Sequence, residues 1–123
     1  MSGGDFLIDT NILVYILQGN PRVQYFAGED VLTLSCVSEV EMLGKFQISE
    51  EEKETVTQML SGCSIVDIND PIKRYAIGLR QRYRIKLPDA LIAATAMQQN
   101  LTLVTADKEF SKISELDVFL IRL

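Results

Sequence analysis

Short runs of apolar residues alternate along the chain with longer segments in which apolar residues recur at helical spacing. Five of these runs predict strands, at residues 6–8, 31–34, 63–68, 101–104 and 118–121. The first run is apolar throughout and is typical of a buried strand, and the polar pair Glu29 and Asp30 precedes the second. The chain is therefore expected to contain short strands separated by the helical segments.

Helix start and stop signals occupy the first segments between the predicted strands. Residues 12–17 form an apolar helix that ends at Gly19, and residues 21–28 form a loop or a short helix. Ser35 or Ser38 caps the helix after the second strand. Its apolar positions recur at three-residue spacing and predict a buried face made of Val37, Val40, Leu43 and Phe46.

The later segments carry equally clear helix boundaries. Ser49 and Glu52 have the spacing of a capping box and open a helix that precedes the third strand. Asp70 and Pro71 begin another helix, with proline at a favoured first-turn position. Residues 87–97 are apolar on nearly every side, which predicts a helix buried on most of its faces.

This alternation of strands and helices is typical of an α/β fold. We expect a three-layer α/β/α sandwich whose mainly parallel central sheet is connected by right-handed crossovers. The length of 123 residues suits one domain that spans residues 1–123. A domain of this size buries roughly two-thirds of the surface that its unfolded chain exposes. The chain is therefore expected to fold without disulfides or a structural metal.

Acidic residues stand where this fold would bring them together. Asp9 and Asp107 follow the first and fourth strands, and Asp89 opens the apolar helix. Glu39 and Glu41 lie two positions apart in the helix after the second strand, so only one of them can face the same point. Because strand C-termini and helix N-termini share one edge of a parallel sheet, these carboxylates are expected to converge. Taken singly, Asp89 is more commonly a partner of the helix dipole, and Asp107 a turn residue or an N-cap.

Carboxylates that converge in this way favour a divalent cation between them. Like charges repel at close range, and a cation removes the repulsion. Hard oxygen ligands select Mg²⁺ or Mn²⁺ over softer metals. One or two such ions can bind a phosphodiester, activate a water and neutralise the charge that develops on the leaving oxygen. The sequence therefore predicts a metal site suited to phosphodiester chemistry.

The composition excludes several other chemistries. The chain has no histidine, which excludes Ser-His-Asp and Cys-His nucleophile systems and histidine-driven RNA cleavage. Cys36 and Cys63 form no CxxC pair, so two reduced, mostly buried thiols are expected instead of a zinc site. No signal segment and no apolar run of bilayer-spanning length is present. We expect a cytoplasmic protein with no membrane partner.

The charge of the chain is uneven. The net charge is −5, yet residues 73–86 hold six of the twelve basic residues and no acid. Arginines interleaved with tyrosines can bind phosphates and stack on bases, although a solvated helix face followed by a basic loop explains the same composition. The candidates for phosphate contacts in this segment are Arg80, Arg82, Arg84 and Lys86.

Four segments together carry the pattern of a known family. They are Leu7-Ile-Asp-Thr-Asn-Ile-Leu13, Ser35-Cys-Val-Ser-Glu-Val-Glu-Met-Leu43, Leu87-Pro-Asp-Ala-Leu-Ile-Ala-Ala-Thr-Ala96 and Leu103-Val-Thr-Ala-Asp-Lys-Glu-Phe110. With these motifs the sequence resembles the PIN-domain ribonucleases, most closely the VapC-type toxins of bacterial and archaeal toxin–antitoxin pairs. The resemblance covers nearly the whole chain. The first, third and fourth motifs are specific in combination, and the second is looser.

The resemblance implies an activity, a cofactor and a set of partners. It implies a PIN-like α/β/α fold, endoribonuclease activity that depends on Mg²⁺ or Mn²⁺, a homodimer, and a VapB-like antitoxin whose tail covers the site. The acidic pI departs from many relatives and bears on the RNA-binding surface. The family's metal-site acids and supporting polar residues would fall on Asp9, Glu41, Asp89 and Asp107, with Asn11 and Thr105.

The second motif leaves its acid open to two assignments. Glu41 is preferred because Met42 and Leu43 follow it, as in the family's Glu-Leu-Leu pattern, and Glu39 is the alternative. The choice decides which side of the helix faces the other acids.

Two other functions remain to be weighed against a metal-dependent ribonuclease. A catalytically inactive PIN-like module would bind RNA or a protein partner equally well without metal. A phosphatase of the haloacid-dehalogenase type would use Asp9 as a nucleophile, but that class wants a second aspartate two residues on, where Asn11 stands. Clustered carboxylates that serve no purpose only destabilise a protein, which argues against the inactive module.

Overall fold

The computed structural model describes residues 5–28 and 31–123, so the predicted polar pair at Glu29 and Asp30 lies outside the described residues. Strands and helices alternate in the predicted order. The strands are β1 (Phe6–Ile8), β2 (Thr33–Ser35), β3 (Ser64–Val66), β4 (Thr102–Thr105) and β5 (Val118–Leu120). The helices are α1 (Thr10–Leu17), α2 (Gln24–Ala27), α3 (Cys36–Leu43), α4 (Glu50–Ser61), α5 (Asp70–Arg82) and α6 (Leu87–Gln98). A 3-10 helix, Lys108–Lys112, lies between β4 and β5.

All strand pairs are parallel, as predicted. β4 pairs with β1 on one side and β5 on the other, and β2 pairs with β3. The hydrogen bonds thus form two sheets, one with the order β1, β4, β5 and one of β2 and β3. β2 lies beside β1, so the five strands follow one another in space as β3, β2, β1, β4, β5. The register sets Leu7 opposite Leu103 and Ile8 opposite Val104. The strand ends that follow Ile8 and Val104 therefore come side by side at one edge.

Two apolar cores flank the strands and complete the three layers. Ile8 and Val104 pack on the side of α1 to α4, whereas Leu7 and Leu103 pack against α5, α6 and the 3-10 helix. This alternation arises because successive side chains of a strand point to opposite faces. Truncation of a fully buried residue such as Leu7 to alanine is expected to cost about 2–5 kcal/mol.

The helix boundaries follow local chemistry. Ser35 is the N-cap of α3 and accepts a hydrogen bond from the Val37 amide, which decides between the two predicted serine caps. Ser49 caps α4, as predicted, by accepting from the Glu52 amide. Asn69 is the N-cap of α5, so the helix begins with Asp70 and Pro71 in its first turn.

The buried face of α3 differs from the prediction. Val40 and Phe46 are 67% and 91% exposed, while Ser38 and Met42 are buried. The three-residue spacing was therefore right for Val37 and Leu43, which are partly buried against the two cores. It was wrong for Val40 and Phe46, because the inward face of this helix also carries a polar side chain. Ser38 lies on that face and hydrogen-bonds Thr10, which explains why a serine is buried there.

Two further features of the chain concern the cysteines and the helix lengths. Cys36 and Cys63 are free and only partly buried, and burial raises the pKa of the Cys63 thiol. Within residues 5–28 and 31–123, no helix has both the length and the apolar character needed to cross a bilayer.

Candidate functional site

The pairing of β1 with β4 brings together two residues from opposite ends of the chain. Asp9 follows β1, and its amide donates a hydrogen bond to the Val104 carbonyl at 3.1 Å. Thr105 ends β4 beside it and donates its hydroxyl proton to Asp9 Oδ2. Both side chains are buried, with Asp9 4% and Thr105 0% exposed. The polar contact therefore forms at the carboxyl edge of the sheet with little access to solvent.

Asp9 also serves as the N-cap of α1. Its Oδ1 atom accepts a hydrogen bond from the Ile12 amide at 2.9 Å. An aspartate is a favoured N-cap because it satisfies an amide that has no partner within the helix. The strand, the cap and the Thr105 hydroxyl together fix both carboxylate oxygens, so this side chain is held in one orientation.

α3 contributes Glu41 from the neighbouring side of the sheet. Thr10 donates its hydroxyl proton to Glu41 Oε1 at 2.6 Å, and its oxygen lies 2.8 Å from the Ser38 hydroxyl. Because Thr10 has one hydroxyl proton, Ser38 is the donor in the second hydrogen bond. Glu39 does not line the pocket around Asp9, whereas Glu41 does. The structure thus places Glu41, not Glu39, beside the other acids.

The remaining two acids come from α6 and from the loop after β4. Asp89 lies in the first turn of α6, behind Pro88. Asp107 is the N-cap of the 3-10 helix and accepts from the Glu109 amide at 2.9 Å, while its own amide donates to Thr105 Oγ1 at 3.0 Å. Asp107 is therefore the N-cap that the sequence allowed, and Asp89 has the first-turn position in which an acid interacts favourably with the helix dipole.

The four acids surround one small pocket. Its volume is about 100 Å³. It is lined by Asp9, Thr10, Asn11, Glu41, Asp89, Ile92, Asp107 and Phe110. Of the residues predicted for the site, Thr105 alone lies outside the lining, where it supports Asp9 from behind. Asn11 is exposed on the pocket wall.

The four carboxylates in this pocket are like charges and repel one another when ionised. Burial is the main cause that raises the pKa of Asp9, and the nearby Asp107 and Asp89 raise it further, while the hydrogen bonds from Thr105 and Ile12 act in the opposite direction. Burial and the carboxylates of Asp107 and Glu41 likewise raise the pKa of Asp89, and Lys86 partly offsets them. A cation placed among these groups would relieve both the repulsion and the loss of hydration.

The donor set fits a hard divalent cation. Four carboxylates supply oxygen ligands alone, and each Asp9 oxygen keeps a lone pair beyond the one used in its hydrogen bond. As their side chains are placed, no three acids within residues 5–28 and 31–123 stand close enough to hold one ion together. The pocket therefore offers oxygen donors of the kind that hard divalent cations prefer, with its carboxylates held apart.

Two polar residues of the site were not predicted. Thr10 joins Glu41 to Ser38, and Ser38 joins α3 to the start of α1. The available signal was spacing, because Thr10 directly follows Asp9 and Ser38 lies three residues before Glu41 on the same helix face. The hydrophobic pattern predicted Val37 and Val40, and not Ser38, on the inward face of this helix.

A family profile described as PIN domain matches residues 6–116, which is most of the chain. The chain belongs to the PIN domain family. PIN domains are generally nucleases, so the family supports the predicted hydrolase class. Comparison with curated protein sequences finds no significant match.

Solved structures with this fold include proteins from toxin–antitoxin pairs. A toxin–antitoxin complex from Klebsiella pneumoniae contains a chain 31% identical to this PIN domain, with a TM-score of 0.77 over 92% of this chain and 94% of that chain. VapBC2 from Rickettsia felis, bound to a DNA fragment from its promoter, is 24% identical with a TM-score of 0.79, covering 95% and 98% of the two chains. DNA-bound VapBC from Salmonella typhimurium is 20% identical with a TM-score of 0.80, covering 97% and 98%. The predicted resemblance to VapC-type PIN proteins is confirmed by these matches.

Proposed function

We propose that this PIN domain is a divalent-metal-dependent endoribonuclease and the toxin of a toxin–antitoxin pair. The observation that carries the proposal is the convergence of Asp9, Glu41, Asp89 and Asp107 around one pocket at the carboxyl edge of a parallel sheet. Four elements that are distant in sequence deliver these acids. Nothing in the fold alone requires four carboxylates to share so small a volume, and their mutual repulsion opposes folding.

Asp9, Asp89 and Asp107 are the proposed metal ligands, directly or through water. Asp9 is buried and fixed at both oxygens, so it offers a rigid ligand. Asp89, in the first turn of α6, and Asp107, the N-cap of the 3-10 helix, also line the pocket and are more exposed than Asp9. A Mg²⁺ or Mn²⁺ held by these three residues would supply positive charge next to the phosphodiester and would lower the pKa of a water.

Glu41 binds metal or orients the attacking water. Its Oε1 atom accepts the Thr10 proton, which leaves Oε2 outside that bond, and the residue lines the acidic pocket. A carboxylate in this position can accept a proton from water while the Thr10 hydroxyl holds its plane. Thr105 is a positioning residue because it fixes Asp9, and we propose the same role for Asn11, which lines the pocket.

The partners follow from the family and its solved complexes. The Klebsiella relative is part of a toxin–antitoxin complex, which supports a VapB-like antitoxin as the partner of this chain. We propose that residues 1–123 act as one domain, that two copies form a homodimer in the cytoplasm, and that the substrate is single-stranded RNA. Light scattering on the purified chain tests the dimer against the monomer mass of 13.8 kDa.

Cleavage of a mixed RNA pool by metal-stripped protein tests the proposed activity. Mg²⁺, Mn²⁺ or chelator is added back, and Asp9→Asn is assayed beside wild type. The matched control is Asp67→Asn, because Asp67 also directly follows a strand but is exposed and does not line the pocket. We expect cleavage only with metal, its loss in Asp9→Asn, and wild-type cleavage in Asp67→Asn.

Two results would contradict the proposal. Cleavage that survives both chelator and Asp9→Asn would come from a different site. Metal-independent RNA binding without cleavage of any RNA in the pool would favour the inactive PIN-like module over the enzyme.

A further inference from the structure

A second pocket adjoins the acidic one and has a different charge. Its volume is about 220 Å³, and it shares Asp89, Asp107 and Phe110 with the acidic pocket. Its remaining wall carries three basic side chains, those of Arg84, Lys86 and Lys112, together with Ile85 and the acidic Glu109, which pairs with Lys112. We call this space the basic cleft. This volume is several times the roughly 30 Å³ that one water occupies in the liquid, so the basic cleft can admit a group larger than a single water.

The loop that carries Arg84 and Lys86 is fixed from two sides. Lys112 Nζ donates to the Arg84 carbonyl at 2.7 Å and also lies 3.7 Å from Glu109 Oε2. Arg80 Nε donates to the Ile85 carbonyl at 3.3 Å. Both contacts use the backbone of the loop and leave the side chains of Arg84 and Lys86 unaffected.

The basic residues of segment 73–86 therefore divide by role. Arg82 forms an ion pair with Glu115, and Arg80 holds the loop backbone, so these two candidates for phosphate contacts are already engaged. Arg84 and Lys86 are exposed and form no ion pair with any residue of the ranges 5–28 and 31–123. Lys86 is also close enough to Asp89 to favour its ionised form.

The acidic pocket lacks a basic group of its own. Its lining contains four acids and no lysine or arginine. A nucleic acid strand that reaches this pocket is repelled wherever metal does not compensate its charge. The basic cleft places Arg84 and Lys86 on the side of Asp89 and Asp107, and Glu41 does not line it.

Resting on the proposed ribonuclease function, we propose that the basic cleft binds the RNA phosphate next to the bond that is cut, through Arg84 and Lys86. This assignment gives the RNA a path across the protein, because the RNA chain would leave the acidic pocket past Asp89 and Asp107. Each phosphate neutralised on a single strand contributes about 0.7 to the slope of log affinity against log salt concentration. Two contacts should therefore contribute about 1.4.

Fluorescence anisotropy with a labelled single-stranded RNA tests the proposal. Binding is measured over a range of salt concentrations in the Asp9→Asn background, in which the probe stays intact. The test variant is Arg84→Gln with Lys86→Gln. The matched control is Lys73→Gln with Arg74→Gln, which removes the same charge from the same segment at residues that pair with Asp70 on α5.

We expect the test variant to bind about tenfold more weakly and its salt slope to fall by about 1.4, while the control keeps the slope of the background. Equal salt slopes in the test and control variants would overturn the proposal that the basic cleft binds a phosphate. An absence of RNA binding by the Asp9→Asn protein would overturn it as well. Metal-dependent cleavage that requires Asp9 would then still stand. Conversely, a test variant with a reduced salt slope, in a protein whose wild type never cleaves RNA, would support phosphate binding in the basic cleft and contradict the proposed nuclease activity.

Discussion

Thr105 Oγ1 donates a hydrogen bond to Asp9 Oδ2 although the two residues lie 96 positions apart in the sequence. The same hydroxyl oxygen accepts from the Asp107 amide at 3.0 Å. One threonine therefore holds the Asp9 carboxylate and the Asp107 backbone, and both residues line the same pocket. The contact exists because β1 and β4 are parallel neighbours in register, so that Asp9 and Thr105 leave the sheet together.

Replacement of Thr105 by valine should weaken metal binding about 10- to 100-fold, since supporting partners of a ligand contribute on that scale. Valine keeps the shape and removes both hydrogen bonds, so Asp9 loses its orientation. Thr105→Ser, which keeps the hydroxyl, is expected to restore most of the affinity. Calorimetric titration with Mn²⁺ measures the effect directly. A valine variant with wild-type affinity would remove Thr105 from the site.

Replacement of Asp9 by asparagine should stabilise the metal-free protein. Burial and the carboxylates of Asp107 and Asp89 raise the pKa of Asp9 in the folded state, so its charged form costs stability above that pKa. Asparagine caps α1 as well as aspartate does and carries no charge. The variant should melt above wild type at pH 7, by about 4 °C for each kcal/mol recovered.

The pH dependence provides the control for that prediction. A raised pKa means that the folded protein binds the extra proton, so the cost to wild type fades as the pH falls toward the ordinary aspartate value. The difference in melting temperature between Asp9→Asn and wild type should therefore shrink between pH 7 and pH 4. A variant that melts well below wild type at pH 7 would mean that the Asp9 carboxylate is needed for folding.

Local chemistry made much of this fold predictable. The strands lie within one or two residues of the apolar runs, and Ser49 caps its helix as the spacing indicated. Ser35 and Asp107, each one of two alternatives that the sequence left open, are N-caps as well. Each of these features depends on neighbours in the sequence. The edge shared by Asp9 and Asp107 followed from strand direction alone, because parallel strands end on the same side.

The features that escaped prediction depend on packing between distant elements. Asp67 also follows a strand, yet β3 lies at the far end of the strand order and Asp67 does not line the pocket. Asp67 and Asp9 both directly follow a strand, and they differ in the place of that strand in the strand order. Similarly, Val40 is exposed because α3 turns Ser38 toward Thr10, a choice that its apolar spacing could not reveal.

Replacement of each glutamate of α3 by glutamine tests whether Glu41 or Glu39 belongs to the site, a choice that the sequence left open. Glu41→Gln should reduce cleavage by about 10²-fold or more, because Glu41 lines the acidic pocket and accepts the Thr10 proton. Glu39→Gln carries the same change of charge two residues away and should cleave at the wild-type rate. Single-turnover cleavage with saturating metal makes the comparison. A loss confined to Glu39→Gln would reverse the assignment.

Glu115 should make stability depend on pH in the opposite sense from Asp9. Hydrogen bonds from Tyr83, Arg82 and Ser114 lower the pKa of Glu115 to about 2, so its contribution is present above the ordinary glutamate pKa and is lost as the pH falls from there through about 2. Glu115→Gln should therefore melt below wild type at pH 7, with a gap that closes toward pH 2 and narrows in high salt. Glu54→Gln, an exposed change on α4, is the control and should show no such gap. A gap for Glu115→Gln that persists unchanged at pH 2 would mean that the carboxylate charge does not hold Arg82 and Tyr83 in place.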